Sequence, residues 1–202
     1  MEKIVIVPHD KVLYPAVALI GAQVSGTPNF MTVSHCGSGS FKPPLICFPM
    51  NKLRYTLKGI MENRTFSVNI PSCATVMKTD FCGIYSGRKK DKSRIFEIFY
   101  GETQTAPLIK ECPLNMECKL IHDLTLGSHI LIVGEVIRTY VSADCMTDGE
   151  IDPQKIDPII YIPCKKQYHR LGKIIGQAFG IGKESHDERT PDAVLNDCLS
   201  GR

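Results

Sequence analysis

The sequence of 202 residues contains no tryptophan. An aromatic wall for a planar ligand must therefore come from phenylalanine or tyrosine. Long apolar runs are missing as well, and none approaches the roughly 18 residues that span a bilayer. The opening "MEKIVIVPHD" has only the short apolar run Ile4 to Val7 and no small-residue cleavage site. These absences predict a cytoplasmic protein with no membrane partner. Charge of one sign is not in excess: 24 Lys and Arg face 21 Asp and Glu, for a net +3. That balance gives no footing for a nucleic-acid partner or an anionic surface.

Cysteine is plentiful, but paired cysteine is absent. Cys36, Cys47, Cys73, Cys82, Cys112, Cys118, Cys145, Cys164 and Cys198 are widely spaced and contain no C-x-x-C pair. Zinc sites and disulfide frameworks carry close, paired spacing, so we expect no metal. Reduced core thiols in a reducing cytosol fit the pattern better. Several catalytic signatures are also missing. No G-x-G-x-x-G follows a strand, and there is neither a G-x-S-x-G elbow nor an H-E-x-x-H helix. "GQAFGIGKE" only mimics a phosphate loop: Gln177 stands where the first glycine belongs, and Glu184 where Ser or Thr would meet magnesium.

What remains is an ordinary globular composition, 43% hydrophobic and 22% charged, long enough for one domain with a tail. Strand signals dominate. They cover Ile4 to Val7, Ala16 to Val24, Leu45 to Pro49, the alternating "FSVNIP" (Phe66 to Pro71) and Ile159 to Ile162. "MECKLIH" (Met116 to His122) and "ILIVGEVIRTYV" (Ile130 to Val141), joined through Gly127 and Ser128, predict an antiparallel hairpin. The second of these strands is apolar enough to run mid-sheet, and Gly134 within it marks a bend or a close approach. Short helices are expected over Thr56 to Asn63 with Thr56 near its start, after Ser72, and over Arg94 to Phe99. Together these elements suggest a β-barrel with helical decorations.

Three polar clusters interrupt the apolar pattern. Asn29 to His35 ("NFMTVSH") joins two apolar stretches with amides and hydroxyls. Lys52, Arg54, Tyr55 and Thr56 lie at a helix start, where exposed amides favour an anion and cations are otherwise misplaced. The third cluster runs from Cys82 to Lys92 and contains "GIYSGR", which brings amides, a hydroxyl and a guanidinium together. Its continuation to Arg94 is rich in cations, but no aromatic residues interleave as in a nucleic-acid patch.

Taken in order, "NFMTVSHCGSGSFKPPLICFPMNKLRYT", "FSVNIPS", "DFCGIYSGRKKDK", "MECKLI" and "GSHILIVGEV" resemble the flavin reductase-like family with the FMN-binding split barrel, and more closely its flavoredoxin-like branch. The resemblance runs from about Tyr14 to Lys183. It implies a mainly β chain: a six-stranded antiparallel Greek-key split barrel with a few short peripheral helices, spanning residues 1–183, followed by a flexible polar tail, 184–202. It also implies a homodimer with FMN near its interface. The implied cofactor residues are Asn29, Met31, Thr32, Val33, Ser34 and His35, then Lys52, Arg54, Tyr55 and Thr56, then Cys82, Gly83, Ser86, Gly87 and Lys92. His35 occupies a position where the branch carries tryptophan, and His129 matches a recurring family histidine next to Ser128 in place of an acidic neighbour. The implied function is an oxidoreductase passing hydride or electrons through bound FMN, with NAD(P)H or a small electron-transfer protein as donor. The alternative is a non-catalytic flavin-binding module for storage or sensing.

Overall fold

The computed structural model describes residues 16–182. The expected strand Ile4 to Val7 and the expected tail 184–202 lie outside them. The chain divides into two compact units between Leu171 and Gly172. In the second, a turn closes where the amides of Gly180 and Ile181 donate to the Gln177 carbonyl.

The first unit is mainly β. In chain order it contains β1 (Ala18–Val24), β2 (Thr27–Val33), β3 (Gly37–Phe41), β4 (Pro44–Asn51), α1 (Tyr55–Asn63), β5 (Thr65–Ile70), α2 (Val76–Ile84), β6 (Ile98–Phe99), β7 (Leu108–Ile109), β8 (Leu114–Leu126) and β9 (His129–Val141). Then come β10 (Met146–Thr147), β11 (Glu150–Ile151), α3 (Pro153–Ile156), β12 (Ile159–Ile162) and β13 (Gln167–Arg170). Seven strands form one antiparallel sheet in the order β2-β1-β5-β8-β9-β4-β3. None of the described helices is long and apolar enough to cross a membrane.

The sheet has seven strands where six were expected, and the polar stretch after Val24 supplies two of the seven. It forms two edge strands, β2 and β3, which the polar composition did not announce. Ser25 and Gly26, both at positive φ, make the two-residue turn that folds β2 back on β1. At the other end, Gly127 supplies the positive φ that joins β8 to β9, as its position predicts. Gly134 of β9 lies under the Phe66 ring, so a Cβ there would strike it. The expected close approach is present.

The sheet buries both of its faces. Alternation along β1 sends Ala18, Ile20 and Ala22 into the larger core with Phe48, Ile60, Phe66 and Ile132. It sends Leu19 to the opposite core with Phe30, Cys82, Phe96 and Ile109. β5 departs from the half-buried pattern predicted for it, because Ser67 and Asn69 are buried too. Ser67 donates its hydroxyl to the Pro107 carbonyl. The Asn69 amide reaches the Leu19 carbonyl at 3.0 Å, and its Oδ1 accepts from Ile109 N and Asn115 Nδ2. Polar residues enter this core because each one satisfies backbone groups of a strand it pins.

The helix expected over Arg94 to Phe99 does not form. Six residues are too few to nucleate one alone, and β6 instead pairs with β7 through Ile98 and Phe99. Ser72 does precede a helical segment, a 3₁₀ turn over Cys73–Thr75 leading into α2, but its side chain makes no cap bond.

Candidate functional site

The ends of β2 and β4, the start of α1, the end of α2 and the start of β9 meet around one groove. It consists of three adjoining cavities. A central one of about 360 Å³ is lined by residues including Asn29, Met31, Arg54, Tyr55, Thr56, Cys82, Ser86, Gly87 and Lys92. An inner one of about 330 Å³ is lined by Met31 to His35 with Pro49, Asn51, Arg54 and His129. An outer one of about 270 Å³ shares Asn29, Tyr55, Gly87 and Lys92 with the centre. The three polar clusters of the sequence thus converge. Lys52 and Gly83 do not line the groove, although the Gly83 carbonyl accepts from Arg54 Nη1 at 3.2 Å.

Local chemistry explains how the rim is built. Asn51 ends β4 and its Oδ1 accepts from Leu53 N at 2.9 Å, while its carbonyl accepts from Arg54 N at 3.0 Å. This turn, typical of a short amide side chain, starts α1 with Arg54 at the cap position. No side chain caps the helix, and its first turn holds no acidic residue. Thr56 was the expected cap. Its hydroxyl instead accepts from Asn29 Nδ2 at 2.7 Å, tying α1 to β2. The Thr32 hydroxyl is also committed, donating to the Thr79 carbonyl of α2.

Lys92 is the most informative residue of the groove. It is only 2% exposed, and its ammonium donates to the carbonyls of Phe30 at 2.9 Å and Cys82 at 2.8 Å. Burial lowers its pKa from the ordinary lysine value, with nearby Arg54 acting in the same direction and Cys82 opposing. The ion pairs among the described residues are Arg64–Asp123, Lys78–Glu111, Lys110–Glu97, Arg138–Glu102 and Arg170–Asp157. None of them involves Arg54, Arg88, Lys89, Lys90 or Lys92. The positive end of a helix, a buried ammonium and a guanidinium thus share one cavity without a carboxylate. That is the donor set of an anion site.

The thiols are not set up as nucleophiles. Burial pushes Cys82 up to about 11, against the lowering influence of Lys92. Burial, together with nearby Cys47, raises Cys36 to about 12. Two imidazoles line the inner cavity. His35 Nδ1 lies 3.0 Å from Ser34 Oγ, and His129 Nδ1 lies 2.8 Å from Ser128 Oγ. The Nε2 of His35 is buried without a hydrogen-bond partner among the described residues.

Pro49, Asn51, Leu53 and Tyr85 also line the groove and were not singled out from sequence. Asn51 left a trace, an amide directly after an apolar strand. Leu53 and Tyr85 look like any apolar residues, and only the fold shows that they sit at a rim.

Comparison with known proteins agrees with this geometry. Residues 13–171 match the model of the flavin reductase like domain. Among solved structures, flavoredoxin from Methanosarcina acetivorans is 40% identical with a TM-score of 0.88, covering 91% of this chain and 99% of that one. Flavoredoxin of Desulfovibrio vulgaris (Miyazaki F) is 33% identical with a TM-score of 0.81, covering 90% of this chain and 100% of that one. An FMN-binding protein from Thermus thermophilus shares the fold at 22% identity and a TM-score of 0.73, covering 86% of this chain and 96% of that one. With a matching domain model and a split-barrel sheet shared with both flavoredoxins, this chain belongs to the flavin reductase-like family.

Proposed function

We propose that the groove binds flavin mononucleotide and that the protein is a flavin-dependent oxidoreductase, supplied by NAD(P)H or by a small electron-transfer protein. The observation that carries this reading is Lys92, a buried ammonium that lines the cavity with two neutral carbonyls as partners. Beside it stand Arg54 and the uncapped start of α1. A monophosphate supplies the missing charge and acceptors at that end.

The rest of the groove suits the remainder of such a ligand. Arg54, Lys92, the Ser86 hydroxyl and the first amides of α1 would hold the phosphate. Met31, Val33 and Pro49 offer apolar contact to a planar ring, and the polar groups of Asn29, Ser34, His35 and Asn51 offer hydrogen bonds at its edges. Bound flavin would supply the hydride and electron chemistry. The protein's part is to bind the phosphate, orient the ring and keep a protonated Cys82 thiol, rather than a thiolate, at the cavity wall.

A homodimer belongs to the same reading. An apolar cleft of about 390 Å³ runs beside β3 and β4, lined by residues including Ala18, Cys36, Phe41, Leu45, Ile70 and Val136. Phe41 at its edge is 87% exposed. A second copy would cover it, and sedimentation of the wild type against Phe41→Glu tests this. The cytoplasm is the compartment we assign. It suits the free thiols of Cys36, Cys47, Cys73, Cys82, Cys112, Cys118, Cys145 and Cys164.

The deciding measurement is an absorbance spectrum of the purified protein with added FMN, then with NADH under anaerobic conditions. Flavin bands near ~375 and ~450 nm that bleach with NADH are expected. Bound flavin that neither NADH nor a reduced small redox protein bleaches would favour a storage or sensing module. No binding at all would overturn the flavin reading.

A further inference from the structure

α2 carries its apolar side chains on the wrong side. The residues it buries are Thr79 and Cys82, the latter packed with Leu19 and Phe30. On the opposite side, two turns apart, Met77 is 83% exposed and Ile84 is 63% exposed. Phe81 lies between them along the helix, its ring centroid 4.6 Å from that of Tyr85 just past the helix end. The outer face of a surface helix ordinarily carries charged and polar residues. Here it is a strip of large apolar side chains, about 10 Å long from the helical rise. The strip leads to the groove, because Tyr85 lines the central cavity together with Leu53, which is itself exposed.

Beside the strip the free charge is of one sign. Arg54 is tied to the end of α2 by its bond to the Gly83 carbonyl, and Arg88, Lys89 and Lys90 follow α2 in the chain and are exposed. None of these four appears in an ion pair among the described residues. The carboxylates that meet α2 are engaged: Asp80 accepts from Tyr168 Oη at 2.8 Å, and Glu111 pairs with Lys78 at 3.0 Å. An apolar centre with a cationic margin complements a protein face with an apolar centre and an acidic margin. A second copy would set cations against cations, and the cleft beside β3 and β4 is the surface assigned to that copy. A nicotinamide nucleotide would enter the groove and leave the strip bare.

We propose, on the flavin reading above, that the outward face of α2 around Met77, Phe81 and Ile84 is the docking surface for a small acidic redox protein that delivers electrons to the groove. Each reduced carrier gives up one electron there. Two carriers in turn, with two protons from solvent, complete the reduction of one bound FMN.

The test compares the FMN-loaded full chain with the double variant Met77→Glu/Ile84→Glu, whose changes lie on the solvent side of α2 and outside the groove lining. Two small acidic carriers, a two-iron and a four-iron ferredoxin, are reduced and mixed with each protein, and stopped-flow absorbance follows the bleaching of the flavin. We expect transfer to the wild type that slows as salt is raised. The variant should react roughly ten-fold more slowly, the scale of like charges set together at an interface. Its dissociation constant for FMN should stay within about two-fold, as for surface changes in general. Equal rates in wild type and variant, or no transfer to the wild type from either carrier, overturn the docking surface and leave the flavin reading intact. Sedimentation addresses the other occupant: a wild-type dimer that the double variant splits gives this face to a second copy and overturns the proposal. Wild-type protein that binds no FMN overturns both readings.

Discussion

Among the described residues two charged side chains are buried, and they are treated in opposite ways. Glu117 of β8 is fully buried, and four donors surround its carboxylate: Glu102 N at 3.1 Å, Thr103 N at 2.9 Å, Thr103 Oγ1 at 2.9 Å and Tyr140 Oη at 2.8 Å. Burial alone would raise its pKa, but these donors prevail and hold it below the usual glutamate range. Gly101 packs so tightly that a Cβ would strike both Glu117 and Tyr140. Lys92 is as deeply placed, yet it has two neutral partners and a cavity beside it. A charge that is completely satisfied serves the fold. One that keeps a donor beside a cavity is open to a further partner.

Replacing each charge by an apolar side chain should separate these roles. Glu117→Leu would strand two backbone amides and two hydroxyls, at a cost of about 1–3 kcal/mol for each group left unsatisfied. We expect the largest loss of urea resistance here. A midpoint within error of the wild type would refute the structural role. Lys92→Met should do the reverse. FMN affinity should fall roughly ten- to a hundred-fold, the scale of a hydrogen bond to a charged group, while the melting temperature changes less than in Glu117→Leu, because relief of a buried charge with no opposite partner offsets the loss of bonds to two carbonyls. Unchanged affinity would remove Lys92 from the site.

The pH dependence sharpens the contrast: both pKa values are lowered, so stability rises with pH in both windows, but the fold favours the charged form of Glu117 and disfavours the charged form of Lys92. Glu117 has a depressed folded-state pKa, so its stabilisation is present above the unfolded glutamate value and is lost as pH falls through the lower folded value. Lys92 has a lowered folded-state pKa, so between it and the ordinary lysine value the unfolded chain binds more protons. Stability of the apoprotein should therefore climb with pH in that alkaline window, by an amount that Lys92→Met abolishes. Chemical denaturation across pH in both variants measures it, and parallel curves for Lys92→Met and wild type would contradict the assignment. Arg54→Gln should have the smallest effect. Arg54 is exposed, and a loss of no more than about five-fold in FMN affinity is expected for a screened cation. A hundred-fold loss on titration would mean that Arg54, rather than Lys92, dominates the anion site.

The same distinction governs what was legible in the sequence. The β8–β9 hairpin, β1 and α1 could be read because local periodicity and Gly127 report on their own neighbourhood. The groove was visible as three polar clusters for a related reason: amides and cations in excess of local need point to a partner elsewhere. The polar residues of β5 were hidden because, apart from each other, Ser67 and Asn69 find their partners 40 or more residues away in sequence. β2 and β3 were not read as strands because these edge strands, rich in amides and hydroxyls, do not show the clear alternation of a half-buried strand. Nothing local distinguishes Thr56 as a helix cap from Thr56 as an acceptor for Asn29, and only the sheet's return beside α1 settles it.

The geometry of the Lys92 head group sets what can stand in its place. An ammonium points its three donors toward the corners of a tetrahedron, and here two corners are occupied, one by a carbonyl of β2 and one by a carbonyl at the end of α2. The head group is thus a three-way joint between sheet, helix and groove. A guanidinium keeps the charge but holds its donors in one plane, so arginine can join two of those directions and must abandon the third.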